Sequence, residues 1–422
     1  MLETLKNAWK VAEIRKKLLY TLFMLLVFRL LCFIPTPGVT DSLLENIRTT
    51  IDNYSLLGFM QSMTGSDLAS YNIMAMGITP YINSSIIMQL LCVAIPKLEE
   101  LQKQGDEGRK KIAQITRYVT VGLGFVQAVA MTVAMGRGVD DMSFMNYLTI
   151  GFCLAAGTAL AMWIGERINE KGLGNGISLL IFAGIISRVG PMIINTLAGI
   201  INGTESVLTA LIVAVVSLAM IVAVVYVDQG ERRVPVQYAK RMVGRKMYGG
   251  QSTHIPMRVN ASGVLPLIFA SAIMQFPSTI LAIVPIFSDA RIWWDTHFYY
   301  ASWGYQLIFA LLIIGFTFFY NTISFNPIEM SKNLQQNGGM IPGIRQGRPT
   351  SDYLARISRR ITLFGALFLA VLAVVPTLLA ASAGVSIAFG ASSLLIAVSV
   401  ALETTRQLES QMLMRHYRGF LK

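Results

Sequence analysis

Ten predominantly apolar stretches run through this chain, at 18–34, 75–95, 112–135, 147–164, 177–197, 207–227, 261–287, 302–325, 361–381 and 385–402. A helix needs about 20 apolar residues to cross the hydrocarbon core of a bilayer. Lipid offers no hydrogen-bond partner, so each crossing segment must satisfy its own backbone, as a helix does. Composition agrees: 54% of residues are hydrophobic and 14% charged, against about a quarter charged in a soluble domain. Stretch 18–34 has the look of a signal peptide. It is too long for most signal h-regions, and CFIPTPG after it holds no small-x-small cleavage site, so it is read as a retained first span. The expected fold is an all-α polytopic membrane protein with ten transmembrane helices.

The charges orient it. Basic residues crowd the N-terminal side: Lys6 to Lys17, Lys97 to Arg117, Arg167 and Lys171, Arg232 to Arg258, Lys332 to Arg360, and the tail from Arg406. The opposite loops hold only Arg48, Arg137 and Arg291, and Arg29 and Arg188 lie within spans. The Lys/Arg bias places both termini in the cytoplasm. Cys32, Cys92 and Cys153 lie in or beside apolar spans, where cysteine behaves as a small hydrophobe; a disulfide framework is not expected.

The second span of each half repeats a pattern. Gly77 to Gln89 reads GITPYINSSIIMQ, and Gly263 to Gln275 reads GVLPLIFASAIMQ, with seven of thirteen positions identical. Five spans is an odd number, so the halves, 1–205 and 206–403 with a tail at 404–422, insert with opposite topology. Inverted repeats with matched Gly/Pro-interrupted helices point to a transport path between the halves. Proline is expected to kink each helix. Helical spacing puts Ile78, Ile82, Ser85 and Gln89 on one face, and Ile268, Ser271 and Gln275 on another. Isoleucine followed by Ser and Gln suits a path that is dry at its middle. The competing reading is that Ser and Gln bond neighbouring helices.

Catalytic chemistry is missing. No carboxylate lies mid-span; Glu166, Asp228 and Glu403 sit at cytoplasmic ends, whereas ion-coupled carriers usually need an intramembrane relay. His254, His297 and His416 lie in loops or the tail, so no metal site and no intramembrane Ser–His pair is expected. Gly172–Gly176, GLGNG, lacks the Lys-Ser/Thr of a phosphate loop and reads as a tight turn. The chain is therefore expected to be no enzyme and to need no cofactor: a conduit without an engine. Arg188 is a candidate for lining the outer half of the path. The long basic loops at 228–260 and 326–360 suit docking of RNA or an acidic protein partner.

Several runs carry a resemblance: GITPYINSSIIMQLL, GLGNGISLLIFAGI, ERRVPVQYAKRMVGRKMYGGQSTHIPMRVN, GVLPLIFASAIMQFPSTI, NPIEMSKNLQQNGGMIPGIRQGRP and GASSLLIAVSVALETTRQLESQM. In sequence and order, from Arg15 to the tenth span, they resemble the bacterial SecY family of protein-conducting channel subunits. The resemblance implies two inverted five-helix halves around a central hourglass pore. It implies a waist ring of Ile78, Ile82, Ile181, Ile268 and Ile396, and a short plug helix at 54–64 with Leu56, Leu57, Phe59 and Met60. The GSDL after the plug departs from the Gly-rich sequence usual there. Spans two and seven would be the lips of a lateral gate carrying Ser85, Gln89, Ser271 and Gln275.

The resemblance implies docking of a SecA motor ATPase or the ribosome on Arg241, Arg245, Lys246 and Arg345. It further implies SecE-like and SecG-like small subunits, signal-bearing preproteins as cargo, membrane lipids as the receiving phase, and a bacterial cytoplasmic membrane as the location. Three rivals remain at this point: an accessory paralogue for a restricted set of exported substrates, a small-solute carrier, and an intramembrane protease. The missing carboxylates and histidines weigh against the last two.

Overall fold

A computed structural model describes residues 9–53, 71–136, 143–203, 206–238, 241–243, 246–248, 252–260, 262–283, 293–294, 297–298, 302–383 and 391–419. Each of the ten expected spans is a helix there. In order they are α1 Ala12–Leu31, α3 Thr79–Ala94, α5 Asp106–Met135, α6 Phe144–Lys171, α7 Gly176–Ile201, α8 Val207–Gln229, α9 Leu265–Ile283, α10 Trp303–Ser324, α12 Arg348–Ala383 and α13 Ala391–Gly419. Between them lie α2 Asp41–Asn53, α4 Pro96–Lys103 and α11 Pro327–Gln336. Among the described residues, α6, α7, α8, α12 and α10 with α11 suffice by length and apolarity to cross a membrane; α3 with α4, bent by 100°, makes a sixth.

The repeated motif starts its helices rather than kinking them. Pro80 is the second residue of α3 and Pro266 the second of α9. In a first turn the missing N–H costs no intrahelical bond, and the fixed φ suits the helix. Gly77 and Gly263 precede them at φ of 52° and 62°, a left-handed conformation that only glycine adopts without steric cost. Two helices of opposite topology thus begin alike: a left-handed Gly, one residue, then the helix with Pro in its first turn. At 16 residues, α3 is about 24 Å long, short of the ~30 Å core. The turns before it are buried in protein: Tyr71 is 1% exposed, shares a 2.7 Å hydrogen bond with Thr132 Oγ1, and the Ile73 amide donates to the Ile34 carbonyl. Non-helical backbone at membrane depth is tolerated only where protein or water satisfies it in this way.

The halves meet through α9 against α3 and α5, and through α13 against α7. One apolar cluster runs across this seam, from Ile78, Ile164, Ile181 and Ile185 in the first half to Ile268, Phe309, Leu369 and Ile396 in the second. Close approach depends on small residues, as is usual between membrane helices. A Cβ on Gly157 would meet the Ile73 carbonyl oxygen at 2.0 Å, and one on Gly176 would meet that of Gly165 at 2.0 Å. On the periphery, α8 leaves Leu211, Val215, Leu218 and Val222 exposed, as a lipid-facing helix does.

The two long basic loops come together in a sheet. β1 Glu231–Tyr238 pairs antiparallel with β4 Ser252–Arg258 and with β5 Gly339–Met340, and at its tip β2 Arg241–Val243 pairs with β3 Lys246–Tyr248. Val234, Val236, Met257, Leu334, Ile341 and Leu354 form its core. Period-2 burial at Val234 and Val236 is the strand signature. Basic residues around it masked that alternation in the sequence.

Candidate functional site

Four of the five ring isoleucines converge on one cavity. Ile82 of α3, Ile181 of α7, Ile268 of α9 and Ile396 of α13 line it, with Thr79, Ser271 and Ala272. Each half contributes two helices. The cavity offers about 20 Å³, room for about one water. The Ser271 hydroxyl turns back to donate to the Ile268 carbonyl at 2.7 Å, so its donor is already used. An apolar constriction this narrow disfavours water, and hydrophobic constrictions gate by dewetting. Ile78 stands apart from this wall: it is the N-cap of α3, 3% exposed, and packs in the same apolar cluster behind it. Helical spacing alone put it on the Ile82 face, but its non-helical turn breaks the register.

Asn175 positions Ile181. Its side chain caps α7 by accepting from the Ile177 and Ser178 amides, and the Leu173 amide donates to Thr21 Oγ1 at 2.9 Å. The GLGNG run is thus a tight corner between α6 and α7, as its residues suggest.

Of the residues expected along the gate, Ser271 lines the cavity, and Ser85 and Gln89 are bonded to each other on α3. Gln89 Nε2 donates to Ser85 Oγ at 3.4 Å, and Gln89 Oε1 accepts from the Tyr320 hydroxyl at 2.7 Å. Tyr320 lies on α10, in the other half. Thr79, Ala272 and Tyr320 are the participants that sequence reasoning missed. Tyr320 sits in the aromatic run FFYN, where nothing distinguishes it from a lipid-facing side chain. The Gln275 side chain, the plug residues Leu56, Leu57, Phe59 and Met60, and Arg245 lie outside the described residues.

Away from the cavity, Arg345 is exposed on the loop between β5 and α12. That loop is braced: Gln346 Nε2 donates to the Gly339 carbonyl, Ser331 Oγ to the Gly347 carbonyl, and Thr350 Oγ1 to the Arg345 carbonyl. Arg241 and Lys246 stand on the backbone of the β2–β3 tip. At the root of the sheet, buried Asp228 accepts from Asn260 Nδ2 at 3.1 Å and pairs with Arg406 of α13 at 3.3 Å. The Val259 N–H donates a hydrogen bond to the Gly230 carbonyl nearby. A solvated projecting arginine on a stiff loop suits electrostatic docking. Among the described residues no group of His, Cys, Asp and Glu could hold a metal ion.

The SecY family model matches residues 72–405. A protein translocase subunit of Halalkalibacterium halodurans is 43% identical over the full length of both chains. The chain belongs to the SecY family. A SecY of Thermotoga maritima is 40% identical, over 100% of this chain and 98% of its own. Among solved structures, a protein-conducting channel superposes with a TM-score of 0.68 at 20% identity, covering 94% of this chain and 92% of that one. Sec61 from a canine ribosome–channel complex superposes with a TM-score of 0.61 at 17% identity, over the same shares of the two chains. These likenesses bear out the family resemblance and the SecY fold, an all-α membrane protein of two five-helix halves.

Proposed function

We propose that this SecY chain is the channel-forming subunit of a bacterial protein translocase. It passes unfolded, signal-bearing preproteins across the cytoplasmic membrane and releases their apolar segments sideways into lipid. The observation that carries this reading is the convergence of Ile82, Ile181, Ile268 and Ile396 from both halves on one small apolar cavity. Branched apolar side chains can yield around any passing peptide without binding it, and at rest they exclude water and ions. Full-length relatives named as protein translocase subunits support it.

The halves would be 1–205 and 206–403, with the tail 404–422 and both termini cytoplasmic. Ile78 would complete the ring from behind. Residues 54–64, with Leu56, Leu57, Phe59 and Met60, would form the plug. The gate lips would be α3 and α9, with Ser85, Gln89, Ser271 and Gln275 along the slit. The cytoplasmic sheet would dock the engine, a motor ATPase or the ribosome, through Arg241, Arg245, Lys246 and Arg345. A small SecE-like subunit would clamp the halves, and a SecG-like one would join it.

The test is translocation into liposomes. The chain is reconstituted with its small subunits, motor ATPase, ATP and a signal-bearing preprotein, and protease protection is scored. ATP-dependent protection is the expected result. No protection, with every partner active on another channel, would overturn the reading.

A further inference from the structure

Tyr320 bridges the seam in an unusual way. Its hydroxyl donates to Gln89 Oε1 on α3 at 2.7 Å. Its ring packs on Phe269 of α9, with centroids 5.1 Å apart at 51°. Phe269 is in turn met edge-on by Phe316, at 5.9 Å and 80°. One side chain on α10 thus holds both helices that carry the repeated motif: α3 by a hydrogen bond and α9 by its ring face. Tyr320 is only 8% exposed and Phe269 4%. Gln89 is oriented for the bond, because its amide nitrogen is engaged by Ser85.

The bond joins opposite halves, residues 89 and 320, so α3 cannot move away from α9 and α10 without breaking it. In a site largely screened from water, a broken bond leaves a hydroxyl and an amide oxygen that must find new partners. The aromatic packing moves with α9 and α10 and does not oppose their parting from α3. Apolar packing across the seam also resists parting, but it is undirected; the directional part of the resistance sits in one hydroxyl.

We propose that Tyr320 is a clasp that holds the gate shut through Gln89, so that opening requires a segment apolar enough to compensate for the lost bond. Tyr320 is then a positioning residue that sets how strong a signal the channel demands. The proposal rests on the reading of α3 and α9 as gate lips. It adds a residue and a threshold to that reading.

The experiment uses the reconstituted channel with its small subunits and motor. Two preproteins are compared, one with an intact signal and one whose apolar signal core is interrupted by a charge. Tyr320→Phe removes the hydroxyl and keeps the ring on Phe269. Loss of one hydrogen bond of ordinary net strength predicts a rise of about fivefold in the ratio of interrupted-signal to intact-signal translocation. Gln89→Leu should raise the same ratio, and the double variant should add little to either single change, as expected for one shared interaction. A general loss of packing would lower both preproteins together and leave the ratio where it was.

A third arm isolates the gate itself. In a channel with Cys32, Cys92 and Cys153 replaced, Ser85→Cys and Ser271→Cys are bridged by a bifunctional thiol reagent. If bridging blocks membrane insertion and Tyr320→Phe leaves the ratio unchanged, the clasp is overturned and the gate stands. If bridging leaves insertion intact, the gate reading fails and the clasp with it. A raised ratio that is non-additive with Gln89→Leu supports the clasp.

Discussion

At the waist, four isoleucines from four helices face one cavity, and the serine on its wall spends its donor on its own helix. In the sheet built from the basic loops the backbone is paired strand to strand, and Arg345 projects from a loop fixed by Ser331, Gln346 and Thr350. One region is apolar and undirected; the other is directed and charged. An apolar seal depends on shape and volume, so it can close around any sequence. A docking surface depends on charge placed at fixed positions, so it can select one partner. Substitutions at the two regions should therefore fail differently.

Arg345→Glu is expected to give the largest effect. Setting like charges against each other at a contact costs several kcal/mol, so ATP-dependent translocation in liposomes should fall about thirtyfold or more. A loss under twofold would remove Arg345 from the docking surface. Next comes Ile82→Gly with Ile268→Gly, which opens the waist from both halves. Resting ion conductance in planar bilayers should rise about tenfold as the constriction wets. Unchanged conductance would count against these positions as the seal.

Asp228→Ala should act on stability rather than on leak. It strips Arg406 and Asn260 of a buried partner at the root of the sheet. Removing one member of a buried pair typically costs 3–5 kcal/mol. Arg406 is 28% exposed, so about 2 kcal/mol is expected, read as a lowered Tm in detergent. Asp228→Asn with Arg406→Met should recover most of that loss, because no stray charge remains. The smallest effect belongs to Ile181→Leu. Volume-conserving apolar swaps are well tolerated, so conductance should change less than about twofold. A large change there would mean that the seal depends on branching as well as volume.

The number and order of helices were legible because every span must carry its own apolar run. The inverted repeat was legible because Gly77/Pro80 and Gly263/Pro266 keep their offsets. Its local meaning was not: a proline within an apolar run reads as a kink, and only the positive φ of the preceding glycines makes it a helix start. Ile82 and Ile268 could be chosen by helical spacing, and Ile181 and Ile396 by motif. Ile78 lay beyond the reach of spacing because the chain there is not yet helical. The strands of the basic loops were hidden because Pro235 stands between Val234 and Val236 and arginines precede them. Tyr320 and the Asp228–Arg406 pair join positions 231 and 178 residues apart in sequence, and no local pattern encodes such meetings.

The central claim is that a translocating chain passes through the isoleucine waist. Site-specific photocrosslinkers at positions 82, 181, 268 and 396, with controls at the exposed Leu211 and Leu218 of α8, would be probed against a preprotein arrested midway. The account predicts adducts from all four waist positions and none from α8. Adducts from α8 equal to those at the waist, or a silent waist, would contradict it.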